Sequence, residues 1–235
     1  MKSLKLIILL LLFCTTLLRA QDPAKDFERV NKAYEEVNGV EMEVHYNVYE
    51  THSAVVSIDS QSGTYKKRGK DYYNSLMGVE TLVENGTMIT IDNKSKRMVL
   101  SPAHELRVAD IGGMDMAKLL KNYEKIEFVK KDENTKGYIV YTKMENNRLD
   151  KFEFYFDVRT YLLEKLVLYY GRSIDLSTDG SGDEKKPRLE IIYSNVKVNP
   201  LFTDKEFAIS TYVTIGKKPS VTPKYKNYQL VQSKI

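Results

Sequence analysis

Thr81-Leu82-Val83-Glu84-Asn85-Gly86-Thr87-Met88-Ile89-Thr90-Ile91 reads as a β-hairpin. Two runs rich in β-branched and apolar residues flank Asn85-Gly86, the pair best suited to the two positive φ angles of a tight turn. Asp92-Asn93-Lys94-Ser95 makes a second turn into Lys96 to Leu100, so three consecutive strands form a meander that Pro102 ends. Upstream, strands are expected at 53 to 59 and at 62 to 77, the second broken near Gly69. Further back, Val40, Met42, Val44, Tyr46 and Val48 alternate with Glu41, Glu43, His45 and Asn47. A period of two with one apolar side predicts a half-buried antiparallel strand.

The period changes to helical before that strand. Asp22-Pro23 supplies a cap and a first-turn proline, and Phe27, Val30, Tyr34 and Val37 recur at spacings of three and four. A helix with one apolar face is therefore predicted over 23 to 37. After Pro102, Gly112-Gly113 breaks the chain and Asp115 to Lys121 has helical composition, which places a short helix at 114 to 122. Strand signals resume at 126 to 131, 137 to 144, 151 to 156 and 162 to 170. A polar, glycine-bearing loop follows at 171 to 187, then strands at 188 to 198 and near 207 to 213, with Thr203 to Glu206 as a turn between them. Pro219 and Pro223 make the tail an extended arm able to add an edge strand. The fold class is mainly β (α+β), in a single domain spanning 21 to 235.

Residues 1 to 20 read as an export signal. A cationic start (Lys2, Lys5) leads into an apolar run and ends at Arg19-Ala20-Gln21, which predicts cleavage after Ala20 and a periplasmic destination. Acylation at Cys14 is the rival reading, but Leu12 and Phe13 precede that cysteine where small residues are wanted. Cleavage removes the chain's only cysteine and, of its 36 basic groups, Lys2, Lys5 and Arg19, leaving 33 against 32 acidic groups and a net charge of +1. That balance is not the footprint of a nucleic-acid binder.

Catalytic chemistry is hard to find. His45, His52 and His104 lack the two- to four-residue spacing of a metal site. No nucleophile elbow, phosphate-binding loop or His-Glu-x-x-His occurs. Asp179-Gly180-Ser181-Gly182-Asp183 has oxygen donors but not the full ligand set of a calcium loop. No enzyme activity, cofactor or metal is expected. Lys66-Lys67-Arg68 is the densest basic cluster, and basic segments of this kind are attracted to anionic lipid headgroups.

Ser62-Gly63-Thr64-Tyr65-Lys66, the run from Glu84 to Leu100, Leu162 to Leu168 and Ile191 to Asn199 ahead of Phe207 together resemble the LolA-like periplasmic lipoprotein carrier family, loosely, over about residues 23 to 213. Two positions depart from the family's pattern: Met88 or Ile89 stands where a tryptophan is typical, and Tyr72-Tyr73 where an arginine is frequent. The resemblance implies an unclosed antiparallel half-barrel with an N-terminal helix and a short lid helix over its concave face. It implies a non-catalytic carrier or chaperone holding acyl chains of lipoproteins, or another lipid, in an apolar cavity. With strand parity, it points to Val44, Tyr46, Val48, Ile89, Ile91, Met98 and Leu100 as cavity lining, Met116, Leu119 and Leu120 as lid, and Lys66, Lys67 and Arg68 as headgroup rim. The chain is expected to be monomeric, with envelope membrane proteins as further partners. The alternative is a cell-envelope protein-binding or regulatory module in which the same shell encloses a fully packed core.

Overall fold

The computed structural model describes residues 22–76, 78–103, 123–143, 148–176 and 182–233. The export segment, the helix placed at 114 to 122 with Met116, Leu119 and Leu120, and His104 lie outside the described residues. No helix among the described residues is long and apolar enough to cross a membrane.

Helix α1 (Pro23–Glu36) begins where the sequence predicts. The Asp22 carboxylate accepts the Lys25 N–H at 3.2 Å and Pro23 occupies the first turn, satisfying or removing donors that a helix start leaves open. Phe27, Val30 and Tyr34 form its buried face. Tyr34 accepts the Leu163 N–H at 3.2 Å, and Tyr138 donates to Asp26 at 2.7 Å, so the helix is bonded as well as packed onto the sheet.

The strands are β1 (Gly39–Tyr49), β2 (Asp59–Arg68), β3 (Asp71–Leu76), β4 (Val79–Glu84), β5 (Thr87–Asp92), β6 (Arg97–Pro102), β7 (Tyr123–Lys130), β8 (Thr135–Thr142), β9 (Leu149–Asp157), β10 (Leu163–Tyr170) and β11 (Arg188–Val198). They are joined late in the chain by β12 (Val213–Thr214), β13 (Ser220–Val221) and β14 (Gln229–Gln232). One 12-stranded sheet runs β14-β6-β5-β4-β3-β2-β1-β11-β10-β9-β8-β7. Its end strands β14 and β7 are not paired to each other, so the half-barrel is unclosed. Every pairing in it is antiparallel except that of β14 with β6. The hairpin of the opening stretch has Asn85 at φ 49° and Gly86 at φ 76°, as its sequence requires.

Two predicted strands are corrected. Residues 53 to 58 form a loop, because the Arg188 guanidinium, stacked 3.9 Å from the Tyr49 ring, draws the carbonyls of His52 and Ala54 to itself at 2.8 and 3.0 Å. Those carbonyls are unavailable to a ladder, and β2 starts only at Asp59. Residues 207 to 212 are not a strand either. They fold as 3₁₀ turns that bury Phe207 and Ile209, with only Val213–Thr214 extended.

The side chains on the two faces of the sheet follow from the registers. Val44 opposes Tyr193 and Gly63, and Tyr65 opposes Met42 and Asn74; the face continues through Tyr72, Val83, Met88 and Ser101. This face carries α1, which packs with Val40, Met42, Val44, Phe152, Phe154, Phe156, Leu166, Leu168 and Ile191. Leu82, Ile89, Ile91, Met98 and Leu100 have the other parity and point to the opposite face. There the chain after β11 crosses as a strap, seating Ile209, Tyr212, Val213 and Tyr225 on them. The molecule therefore has two cores on two sides of one sheet.

The opposite face of β8 to β10 is polar but saturated. Glu153, 12% exposed in its side chain, accepts from Tyr155 and Tyr169 at 2.8 Å each and from Lys151 at 3.1 Å. Burial pushes its carboxyl pKa up, and these donors more than reverse that, holding it below the ordinary value. A depressed folded pKa contributes stability above the unfolded value, about 4.3 for glutamate, that is lost as pH falls through the folded one. Glu153→Gln is expected to lower stability by about 1–3 kcal/mol at neutral pH. Urea titrations should show that gap to wild type narrowing in acid; a gap independent of pH would refute the assignment.

Candidate functional site

On the α1 side of the sheet the helix covers β1 and β8 to β11, and among the described residues no second segment packs on β3 to β6, where Tyr72 and Val83 are nonetheless buried. The apolar residues of this face in that half, Tyr72, Leu76, Val79, Val83, Met88 and Val99, belong to neither packed core of the described residues. Tyr46 and Val48 continue the same face on β1, half-buried, beside Leu189 of β11. The same registers set Asn74, Thr81, Thr90, Ser101 and the Asp92–Arg97 pair among them, so the surface is mixed, and it adjoins the helix-packed core.

The hydroxyls lack oxygen acceptors. Tyr193 is 5% exposed and its phenol oxygen has no hydrogen-bond partner, and Ser101 Oγ is likewise buried without one. Tyr72 donates only to the Met88 sulfur, at 3.8 Å. Burial pushes the Tyr72 phenol up to about 12 and raises those of Tyr34, Tyr65 and Tyr193 further, so all four stay protonated donors at physiological pH.

The seven residues expected to line one cavity do not come together. Val44, Tyr46 and Val48 lie on the helix side; Ile89, Ile91, Met98 and Leu100 lie on the opposite face under the strap. The basic trio is divided by the same alternation. Lys66 and Arg68 point to the strap side, where Lys66 binds Glu206 at 2.7 Å and Arg68 binds Asp204 at 2.9 Å and stacks 4.7 Å from the Phe207 ring. Burial works against the Lys66 ammonium, yet Glu206 and Glu41 outweigh it and hold its pKa above the ordinary lysine value. Lys67 points to the helix side and donates to the Tyr34 carbonyl at 2.8 Å; burial lowers its pKa. These cations hold the helix end and the strap in place. Tyr72, Val83, Met88, Val99 and Tyr193, which share the helix side with Val44, are not among the residues expected from the sequence, where the more apolar parity of β1, β5 and β6 marks the cavity side.

Other chemistry is sparse. His45 lies on the strap side of β1 with Nδ1 2.8 Å from Ser62 Oγ, Nε2 3.0 Å from Ser194 Oγ and Glu43 3.8 Å away. The His45 and Glu43 side chains are 38% and 52% exposed, so the cluster is solvated. Among the described residues, no three His, Cys, Asp or Glu side chains are grouped to hold a metal ion.

No protein-family model matches the chain, and no curated protein sequence does. Solved structures resemble it at low identity. A conserved uncharacterised protein from Thermus thermophilus aligns with a TM-score of 0.49 and 12% identity over 91% of this chain and 100% of its own. The Mycobacterium tuberculosis lipoprotein LppX aligns with a TM-score of 0.44 and 10% identity over 78% of this chain and 100% of its own. A LolA superfamily protein from Nitrosomonas europaea gives 0.35 and 11%, over 81% and 99%. The likeness is one of fold. One of these structures bears the name of the LolA superfamily, which the sequence loosely resembles.

Proposed function

We propose that this chain is a non-catalytic carrier of the periplasm that holds acyl chains of a lipoprotein or another lipid against the helix-side face of β1 to β6. The observation that carries the reading is the two-sided packing. Among the described residues the strap packs on the opposite face, and Leu76, Val79, Met88 and Val99 on the helix side are half-buried and outside both cores. The aliphatic and methionine side chains of that mixed surface suit a flexible hydrocarbon ligand, and its polar ones suit a headgroup. The export signal read in residues 1 to 20 supports the compartment.

Native mass spectrometry and lipid extraction of protein purified from its own host should reveal a bound amphiphile. Val99→Lys, which puts a charge on that face, is expected to cut uptake of a fluorescent acyl-chain probe at least tenfold, because an ammonium buried against hydrocarbon is strongly disfavoured. The unfolding midpoint should move by no more than about 4 °C, as for a half-exposed position. A clean apo mass together with no probe uptake by the wild type sinks the proposal.

A second reading, a module that binds an envelope protein, has one observation in its favour. The loop after β1 is pinned by Arg188 and presents Val55, 91% exposed, Val56, 74%, and Ile58, 53%, to solvent. If that tip is the functional surface, Val55→Asp with Val56→Asp abolishes partner capture and leaves acyl-probe uptake untouched.

A further inference from the structure

Four tyrosines from four elements meet at the margin of the helix-packed core. Tyr34 comes from α1, Tyr46 from β1, Tyr65 from β2 and Tyr193 from β11, and the three on strands surround Val44, which opposes Tyr193 directly. The Tyr34 oxygen accepts the Leu163 N–H, so its own proton must go elsewhere. Among the described residues none of the four phenols has an acceptor for its proton, and Tyr193 is buried with no partner at all. A buried hydroxyl left unbonded is costly, and native proteins rarely keep one without a water, ion or ligand to take the bond.

The same neighbourhood defines what could take it. The ligand must bring acceptors, because donors are already in surplus. It must bring them uncharged. The one cation on this side of β2, Lys67, is committed to the Tyr34 carbonyl, and an anion placed among phenols and aliphatic side chains without a counter-ion pays an uncompensated desolvation cost.

We propose that the cargo carries a neutral carbonyl, such as the ester or amide that joins an acyl chain to its headgroup, and that this oxygen accepts a hydrogen bond from Tyr193 within the tyrosine cluster. The inference rests on the carrier reading and adds the chemical class of the cargo: esterified or amidated acyl chains, in preference to free fatty carboxylates or plain hydrocarbon. Tyr193 is then a specificity-determining residue, and the apolar face supplies affinity that does not depend on it.

The test compares three pyrene-labelled probes of equal chain length, a methyl ester, the matching alkane and the free carboxylate, on the full mature chain and on Tyr193→Phe. The wild type is expected to bind the ester at least about tenfold more tightly than the alkane or the carboxylate. In Tyr193→Phe the ester preference over the alkane should fall to about twofold or less, alkane affinity should hold, and the apo unfolding midpoint should stay or rise because a stranded hydroxyl has been removed. Equal wild-type affinity for ester and alkane, or a carboxylate bound best, overturns this inference and leaves the carrier reading standing. A lower apo midpoint in Tyr193→Phe also overturns it, since the hydroxyl would then be bonded by the protein or by a resident water. Binding of none of the three probes removes the carrier reading, and the inference with it.

Discussion

A chain ending at Leu201 is expected to lose cooperative folding and to expose dye-binding apolar surface. The removed strap contributes Phe207, Ile209, Tyr212, Val213 and Tyr225, all buried, and its departure uncovers Leu82, Ile89, Ile91, Met98 and Leu100. At roughly 2 kcal/mol for each large side chain returned to water, the loss is of the order of the whole net stability of a domain. The strap is also bonded at several points: Ile209 N–H to Glu84 at 2.9 Å, Tyr212 to Glu80 at 2.8 Å and Tyr228 to Asn93 at 2.9 Å. The experiment separates two architectures. A tail that merely covered the cargo face could be removed with the fold intact and the site opened, whereas a tail that completes a second core cannot. Thermal unfolding followed by circular dichroism, with dye binding alongside, reads the difference; a sharp transition near that of the full chain would exclude the two-core arrangement.

Gly63→Ala is expected to destabilise the protein by about 2–4 kcal/mol. A Cβ at Gly63 would lie 2.1 Å from the Ser75 carbonyl oxygen and 3.2 Å from its carbon, so backbone rather than a flexible side chain stands in the way. The neighbouring Thr64 is paired to Ser75, and the sheet must open there to admit the methyl. Gly216→Ala is the control: nothing lies within 4 Å of its Cβ position and its φ is ordinary, so its urea midpoint should match the wild type. Equal midpoints for the two variants would show that β2 and β3 do not approach as closely as described.

Much of the architecture was legible because it is local. Asp22-Pro23 with Phe27, Val30 and Tyr34 marks a helix by its cap and period, and α1 starts at Pro23. Asn85-Gly86 forces its hairpin, and β11 runs over the predicted 188 to 198. The failures have a common cause in distant partners. The apolar run at 53 to 58 satisfies strand propensity, but Arg188, more than 130 positions away in sequence, claims its carbonyls. Residues 207 to 213 look extended, yet Glu84 and the surface of β4 to β6 draw them into turns.

The expected cavity residues divide between two faces for a subtler reason. The expected lining takes the more apolar parity of β1, β5 and β6 as one cavity, which joins Val44 on β1 with Ile89 on β5. A signal against that was present. The short turns at Gly69-Lys70 and Asn85-Gly86, with positive φ at Gly69, Asn85 and Gly86, lock the registers Arg68 to Asp71 and Glu84 to Thr87. Carried across β2 to β5, these put Tyr65, Asn74, Val83 and Met88 on one face and leave Ile89 on the other.

The hairpin of residues 81 to 91 shows where the division falls. The sequence by itself determined that it is a hairpin, that its strands alternate and which residues share a side, because turn geometry and the two-residue period of a strand act within a few positions. Only the tertiary structure decided which side meets the helix and which meets the strap. That choice depends on where α1 and the chain after β11 come to rest, and neither is encoded in the strands they cover.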